Sequence, residues 1–246
     1  MYSTNHLNGP IYHMVHFKNL ANILKYRNLY SLEKLGQTRI APHSIAHKHV
    51  QDLRDRVFVW SLSEKKYRSL HSYVPFYFAT HTPMLRYQQK NNIQDDVLFF
   101  QVSRSILKEP GVLFTDGNAA NQQLSRYKGE KVYIIPATGL NKPCKRKYYP
   151  QGPLGTNSKH SEFYNNIIFL DNLKWDVIND RQSRDDDKTR IRHAEVLIPD
   201  NLSLKLIHGI SVKTPDMTKA VNTLIANNGL ANRIPLALCQ PDLYFQ

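Results

Sequence analysis

Val74-Pro75-Phe76-Tyr77-Phe78, followed by Thr82-Pro83-Met84-Leu85, is the stretch on which the reading of this chain turns. Two prolines punctuate a strand-like aromatic run, which fits neither a plain amphipathic helix nor an ordinary edge strand. Two readings are open. Aromatic runs fill cores, so the stretch can be a core strand with a turn after it. Rings beside a proline-fixed turn also suit stacking on a flat heterocycle, such as nicotinamide or a nucleobase. The rest of the chain has to decide between them.

Working outward, further apolar runs supply more strands. Residues 11–15 form a short one, 97–102 a buried one, and 112–115 one that stops at Asp116-Gly117. Residues 132–136, 194–199, 209–212 and 234–238 add others, the run at 194–199 alternating sides until Pro199-Asp200. Phe17, Leu20, Ile23 and Leu24 share one helical stripe over residues 17–26. A second helix is predicted at about 44–56, with Ile45, Val50 and Leu53 inward and Lys48, Arg54 and Arg56 elsewhere around it. An amphipathic helix at 218–230 ends at Asn228-Gly229. Residues 161–172 read as helical or mixed. There is no internal repeat and no regular βαβ alternation, so the expectation is α+β in a single domain over 1–246.

Composition bounds the partners. Thirty-three Lys+Arg against 20 Asp+Glu give a net charge of +13, a positive field that favours polyanions or phosphate ligands. Residues 137–165, with three prolines, three glycines and little periodicity, read as a long loop or insertion. Between Gly117 and His160 lie eight Lys/Arg, among them Lys145, Arg146 and Lys147, against the single acid Glu130. Tyr127, Tyr133, Tyr148 and Tyr149 are interleaved with them, and such a mixture suits single-stranded nucleic acid: cations track phosphates while rings stack on bases. A solvated basic loop is the plainer alternative. Cys144 and Cys239 are too far apart for a CxxC site, which fits a reducing cytoplasm. No secretory leader and no 18-residue apolar run are visible, so a cytoplasmic chain without a membrane span is expected.

Four pieces carry possible chemistry. Tyr12-His13-Met14-Val15-His16 places a histidine inside a strand. His43-Ser44-Ile45-Ala46-His47-Lys48 leads into Arg54-Asp55-Arg56; the i, i+4 histidines lack the acid of an HExxH site, so no metal is expected. Asp185-Asp186-Asp187, which is not one of the four, reads as a charged turn or helix start. The aromatic run at 74–78 is the third piece. The fourth is Arg192-His193-Ala194-Glu195-Val196-Leu197, where a carboxylate interrupts an apolar strand; it could face water or line a cleft.

Together these pieces resemble the DarT family of NAD-dependent DNA ADP-ribosyltransferase toxins. The resemblance rests on Ile11-Tyr12-His13-Met14-Val15-His16 with Asn19-Leu20, Ser44-Ile45-Ala46 with Arg54-Asp55-Arg56, and Tyr73-Val74-Pro75-Phe76-Tyr77-Phe78 with Pro83-Met84-Leu85. It continues through Phe114-Thr115-Asp116-Gly117-Asn118-Ala119, Ala194-Glu195 and Pro241-Asp242-Leu243-Tyr244-Phe245. The blocks keep the family's order over almost the whole chain. Where the family commonly has an arginine before Pro-Met-Leu, this chain has Thr80-His81-Thr82.

The resemblance implies an α+β ADP-ribosyltransferase fold, with two small antiparallel sheets forming an NAD cleft flanked by helices. It implies Arg54 and Glu195 as catalytic residues, and His13, Asn22 and Tyr77 as contacts to NAD, the co-substrate. Asn118 falls in a loop that approaches the substrate. Lys145, Arg146 and Lys147, with Lys48 and Arg56 on another face, are the expected DNA contacts. The acceptor expected is thymine in single-stranded DNA, through N3 and in a sequence-dependent manner, by a monomeric toxin that blocks replication and is restrained by a DarG-like macrodomain antitoxin. Transfer to RNA or protein on the same fold, or a non-catalytic single-strand-binding module, are the alternatives. A nuclease is disfavoured, because no paired acids stand at metal-binding spacing.

Overall fold

The computed structural model describes residues 4–121, 125–127, 130–135, 161–181 and 186–246. Most of the loop expected at 137–165 lies outside them. The first part of the chain forms β1 (Pro10–His16), α1 (Leu20–Tyr26), β2 (Asn28–Tyr30), α2 (Leu32–Gln37), α3 (Lys48–Arg54), β3 (Val57–Ser61), β4 (Lys66–Ser69) and β5 (Tyr73–Tyr77). Next come α4 (Pro83–Lys90), β6 (Val97–Ser103), β7 (Leu113–Thr115), β8 (Ser125–Tyr127), β9 (Glu130–Ile135) and β10 (Phe163–Tyr164). The last part holds α5 (Trp175–Ile178), α6 (Asp186–Ile191), β11 (Glu195–Pro199), β12 (Asn201–Ser203), β13 (Ile207–Val212), α7 (Pro215–Asn227) and β14 (Ala237–Cys239).

Eight strands line up in the order β10-β7-β11-β5-β1-β6-β13-β14. The row is two half-sheets meeting at one point. β1 pairs with β6 along its whole length, and β5 pairs with β11 along its whole length, but β1 and β5 share only the bridge Tyr12↔Tyr77. Pro75 explains why they do not close further. Its carbonyl accepts a hydrogen bond from His13 Nδ1 at 2.8 Å, so the edge of Pro75 that lacks an N–H faces β1. The proline therefore sits in the middle of a sheet without breaking a ladder, and the half-sheets diverge beside it. These halves are the two small sheets of the expected cleft; one of them gains a parallel edge through β13 and β14.

The alternation of β5 sends its side chains into separate cores. Val74, Phe76 and Phe78 join Ile11, Val15, Leu20 and Leu24 of β1 and α1 and Val221 and Ile225 of α7. Tyr73, on the other face, packs with Leu113, Leu197 and Phe163 against Val57 and Val59 of β3. β3 belongs to a four-stranded sheet of order β4-β3-β9-β8, and α3 comes directly before it in the chain. Burying each large apolar side chain contributes about 1.5–3 kcal/mol.

Element boundaries differ from the sequence reading where side chains capture the backbone. The helix expected over 44–56 begins only at Lys48, because Asn19 and Gln88 bind the backbone of His43 and Ile45 and hold that stretch out of the helix. Arg54, placed away from the inward face, is instead the buried residue of α3, since an ion-pair partner awaits it. α7 starts three residues earlier than its apolar stripe, with Thr214 Oγ1 accepting from the Met217 N–H and Pro215 at the first turn. The last strand shrinks to Ala237–Cys239, because Pro235 has no N–H to contribute.

Candidate active site

Glu195 opens β11 and lies opposite Tyr77 of β5. Its own N–H donates to Thr115 Oγ1 at 3.1 Å, and the Thr115 hydroxyl donates to the Gly117 carbonyl at 2.6 Å. The carboxylate is gripped at both oxygens: Arg54 Nη1 donates to Oε2 at 2.8 Å and the Ala119 N–H donates to Oε1 at 3.0 Å. Glu195 is 2% exposed and Arg54 6% exposed. Each charge is thus offset by the other, the condition under which a buried pair is tolerated.

Arg54 is the last residue of α3, and the turn behind it is anchored from β5's side. His71 Nε2 lies 2.8 Å from Asp55 Oδ1 and 3.3 Å from the Gln51 carbonyl. Burial, and then the neighbouring Arg54 cation, pull the His71 pKa down, so the neutral ring donates from Nε2. The adjoining phenol of Tyr77 is buried beside Glu195; burial first, then that carboxylate, raise its pKa and keep it neutral. Its hydroxyl points to Met84 Sδ at 3.8 Å.

The loop that delivers the Ala119 N–H is packed without slack. A Cβ on Gly117 would stand 2.4 Å from Arg190 Nη1 and 3.0 Å from the Arg190 carbonyl. Arg190 is buried on α6 and binds Asp116 Oδ1 and Ser161 Oγ through Nη1 and Asp187 Oδ1 through Nε. Asn118 spends its Oδ1 on the Ala120 N–H, and its own N–H donates to the Arg190 carbonyl at 2.9 Å.

His13 stands where the half-sheets part. Because its Nδ1 donates to Pro75, Nε2 is left as the acceptor of a neutral ring, and burial lowers its pKa accordingly. His13 also lines a pocket bounding about 460 Å³ of open space, together with Asn22 and Ile23 of α1, Tyr30 of β2, and Ile40 and Pro42. Its walls are mostly apolar and aromatic.

The expected residues therefore sort into groups. Arg54, Glu195 and Tyr77 come together; His13 and Asn22 share the neighbouring pocket. Lys48 and Arg56 are exposed on and just after α3. Asn118 is half-buried, with its side chain oxygen committed to its own loop. Lys145, Arg146 and Lys147 lie outside the described residues. At the Thr80-His81-Thr82 departure, Arg192 reaches in from the end of α6 and donates to the His81 carbonyl at 2.6 Å. The sequence reading missed His71 and Arg190, and the Thr115 hydroxyl and Ala119 N–H as grips on Glu195. Only Gly117 beside Asp116 signalled the tight loop. Among the described residues no group of three or more His, Cys, Asp or Glu could hold a metal ion, and no helix is long and apolar enough to cross a membrane.

The same architecture is found in solved structures. Thermus sp. 2.9 DarT in complex with ADP-ribosylated ssDNA superposes with a TM-score of 0.72 at 23% identity, over 96% of either chain. Thermosipho africanus DarTG in complex with ADP-ribose gives 0.63 at 20% identity, over 96% of this chain and 51% of that one. At such identities the likeness is one of fold. A DNA ADP-ribosyl transferase of Thermus aquaticus is 34% identical over 119 residues, 46% of this chain and 51% of the relative. The chain spans about a third to a half of the length of the curated relatives it matches. The family model for DarT, described as ssDNA thymidine ADP-ribosyltransferase, matches residues 12–138 and 154–245, and with nearly the whole chain covered this protein belongs to the DarT family.

Proposed function

We propose that this chain transfers ADP-ribose from NAD to thymine in single-stranded DNA, in a sequence-dependent manner and with release of nicotinamide. The observation that supports this most is the buried Arg54–Glu195 pair beside Tyr77, at the divergence of two half-sheets, in a chain of the DarT family. NAD supplies the ADP-ribosyl group, and breaking its nicotinamide–ribose bond leaves positive charge on the ribose. The pocket suits such a ligand: its walls are mostly apolar and aromatic, with Asn19, Asn22 and Asn28 among them, and His13 adds a neutral acceptor nitrogen.

Each residue then has a physical role. Glu195, aligned by Arg54 and the Ala119 N–H, stabilises the ribosyl charge electrostatically. Tyr77, a neutral phenol, offers its ring to nicotinamide. His13 Nε2 accepts from a ribose hydroxyl, and Asn22 contributes from α1. Thymine N3 must lose a proton as its bond to the ribose carbon forms. A guanidinium with a pKa above about 12 is a poor base, so Arg54 stabilises the developing N3 anion while Glu195 or water takes the proton. A single strand avoids the unstacking cost of extruding a base. Lys48, Arg56 and the Lys145-Arg146-Lys147 run attract its phosphates, and Asn118 shapes the loop nearest the acceptor.

Chemistry that marks DNA blocks replication, so the chain acts as a toxin whose partner is a DarG-like macrodomain antitoxin. The test is mass spectrometry after incubating the protein and NAD with thymine-containing single-stranded DNA, matched RNA or a protein acceptor. ADP-ribose should be added to thymine of the DNA alone. Modification of RNA or protein with the DNA untouched would overturn the acceptor.

A further inference from the structure

The four-stranded sheet buries one face through Val57 and Val59, which pack with Tyr73, Leu113 and Leu197. Strand alternation sends Phe58 and Trp60 of β3 to the opposite face. Tyr67 of β4 lies directly opposite Trp60, and the two rings meet edge-on with centroids 5.0 Å apart. Phe58 and Trp60 are half-buried, and Tyr67 is 41% exposed. Among the described residues none of the three belongs to a hydrophobic core. A cross-strand aromatic pair steadies a hairpin, but that role does not call for three rings on one open face.

The margins of this face are basic. Residues 56–69 hold Arg56, Lys65, Lys66 and Arg68 against the single acid Glu64. Glu64 is taken up by Lys66 and Arg68, and Arg68 also binds Asp200. Arg56, just before β3, and Lys65, in the turn after it, are exposed. β9 and β8, next in the sheet, add Lys131 and Arg126 in register with each other. Flat rings bordered by cations suit a polyanion that carries aromatic bases. The position fits as well. Trp60 follows Arg54 by six residues, so the chain cannot place it more than about 22 Å from the Arg54–Glu195 pair. At about 3.4 Å per nucleotide, a stacked strand covers that distance in about six nucleotides.

We propose that the outer face of the four-stranded sheet is a stacking platform for single-stranded DNA flanking the acceptor. Bases lie on Phe58, Trp60 and Tyr67, and Arg56 and Lys65 draw the phosphates. Alternate residues of a strand stand about 6.6 Å apart, so Phe58 and Trp60 offer two successive seats. This rests on the reading of single-stranded DNA as the substrate. The rings touch flanking bases and not the reacting atoms, so the platform governs how tightly a long strand is held, not the transfer step.

The experiment compares the full chain with Trp60→Phe, Tyr67→Glu and the double variant Trp60→Ala/Tyr67→Ala. Affinity for a labelled sixteen-nucleotide oligothymidylate is read by anisotropy, and tryptophan emission is followed as the unlabelled strand is added. The double variant should bind at least about tenfold more weakly, the loss expected when stacked bases lose their rings. Tyr67→Glu, a change at an exposed position, should weaken binding by a similar factor, and it decides the matter if the double variant does not fold. Trp60→Phe keeps a ring and should stay within about threefold of the parent, while the quenching of emission seen in the parent disappears. In transfer assays the double variant should raise the KM for a sixteen-nucleotide strand with a central thymine, with kcat within about threefold. A five-nucleotide strand with a central thymine, too short to reach Trp60, should keep its KM. Parental affinity in both Tyr67→Glu and the double variant, or quenching that persists in Trp60→Phe, would overturn the proposal. So would a parent that sediments as a dimer and a double variant that is monomeric with DNA affinity unchanged, since the face would then pair two copies. Binding that depends on these rings, in a protein with no NAD turnover, would uphold the platform and overturn the transfer reading. Transfer with a parental KM for the long strand in every variant would do the reverse.

Discussion

Arg54 and Glu195 are 141 positions apart in sequence, yet Arg54 Nη1 donates to Glu195 Oε2 at 2.8 Å in a place almost closed to water. One comes from the end of a helix and the other from the start of a central strand, so the pair pins the four-stranded sheet's side of the molecule to the eight-stranded row. Its burial makes it a structural tie, and in the proposed reaction it is also the chemical centre.

Arg54→Ala should strip Glu195 of its countercharge. Breaking one side of a buried pair costs about 3–5 kcal/mol, so the denaturation midpoint should drop clearly as transfer disappears. Arg54→Lys keeps the charge but not the planar fork, and should recover stability and DNA affinity better than turnover. An Arg54→Ala protein as stable as the parent in urea melts would show that the pair is not closed in solution.

Stability should decline as the solution is acidified below neutrality. His13, His16, His71, His81 and His193 all have pKa values lowered, in every case chiefly by burial. A lowered folded pKa means that below about 6.5 the unfolded chain takes up protons that the folded chain refuses. The stabilisation is fully present above that value and is lost as pH falls toward the folded pKa values. Thermal midpoints that stay flat between pH 7 and pH 5 would contradict this burial.

Gly117 has no room for a side chain. Placing a methyl group 2.4 Å from Arg190 Nη1 and 3.0 Å from the Arg190 carbonyl should shift the loop and cost about 1–3 kcal/mol. Because that loop supplies the Ala119 N–H to Glu195, Gly117→Ala should slow transfer by more than it weakens single-stranded DNA binding. Parental rates in the variant would show that the Ala119 contact is dispensable.

Neutralising Lys145, Arg146 and Lys147 together should flatten the dependence of single-stranded DNA affinity on salt. Each lost phosphate contact removes about 0.7 from the slope of log affinity against log salt on a single strand. An unchanged slope would move the DNA track to the exposed face carrying Lys48 and Arg56.

How far the sequence alone reached depended on the range of the interactions involved. Strands such as Val97–Ser103 and Glu195–Pro199 were legible because their apolar periodicity reports burial directly. The Val74-Pro75-Phe76-Tyr77-Phe78 run was read correctly as unusual, but the reason, a proline edge turned toward His13, depends on a strand 62 residues away. The start of α3 was misplaced because Asn19 and Gln88 compete for the backbone of 43–45 from distant elements. Arg54 and Glu195 were found by resemblance to a family. Periodicity alone would have put Arg54 on the outside, since no local rule foresees a buried partner across the fold. Grips made by backbone groups, such as the Ala119 N–H, leave no mark in residue identity at all.

Glu195→Gln tests the central claim most directly. The amide keeps the shape of the side chain and can still accept from the Ala119 N–H, but it removes the negative charge that opposes the ribosyl cation. The measurement is the rate of ADP-ribose transfer to a thymine-containing single strand, set beside the affinity for the same strand. Transfer should fall at least about a hundredfold, the loss typical of one electrostatic stabiliser, while DNA affinity stays within about threefold, because a carboxylate offers phosphates no attraction. Near-parental transfer by Glu195→Gln would contradict the assignment of Glu195 and, with it, the account of this site.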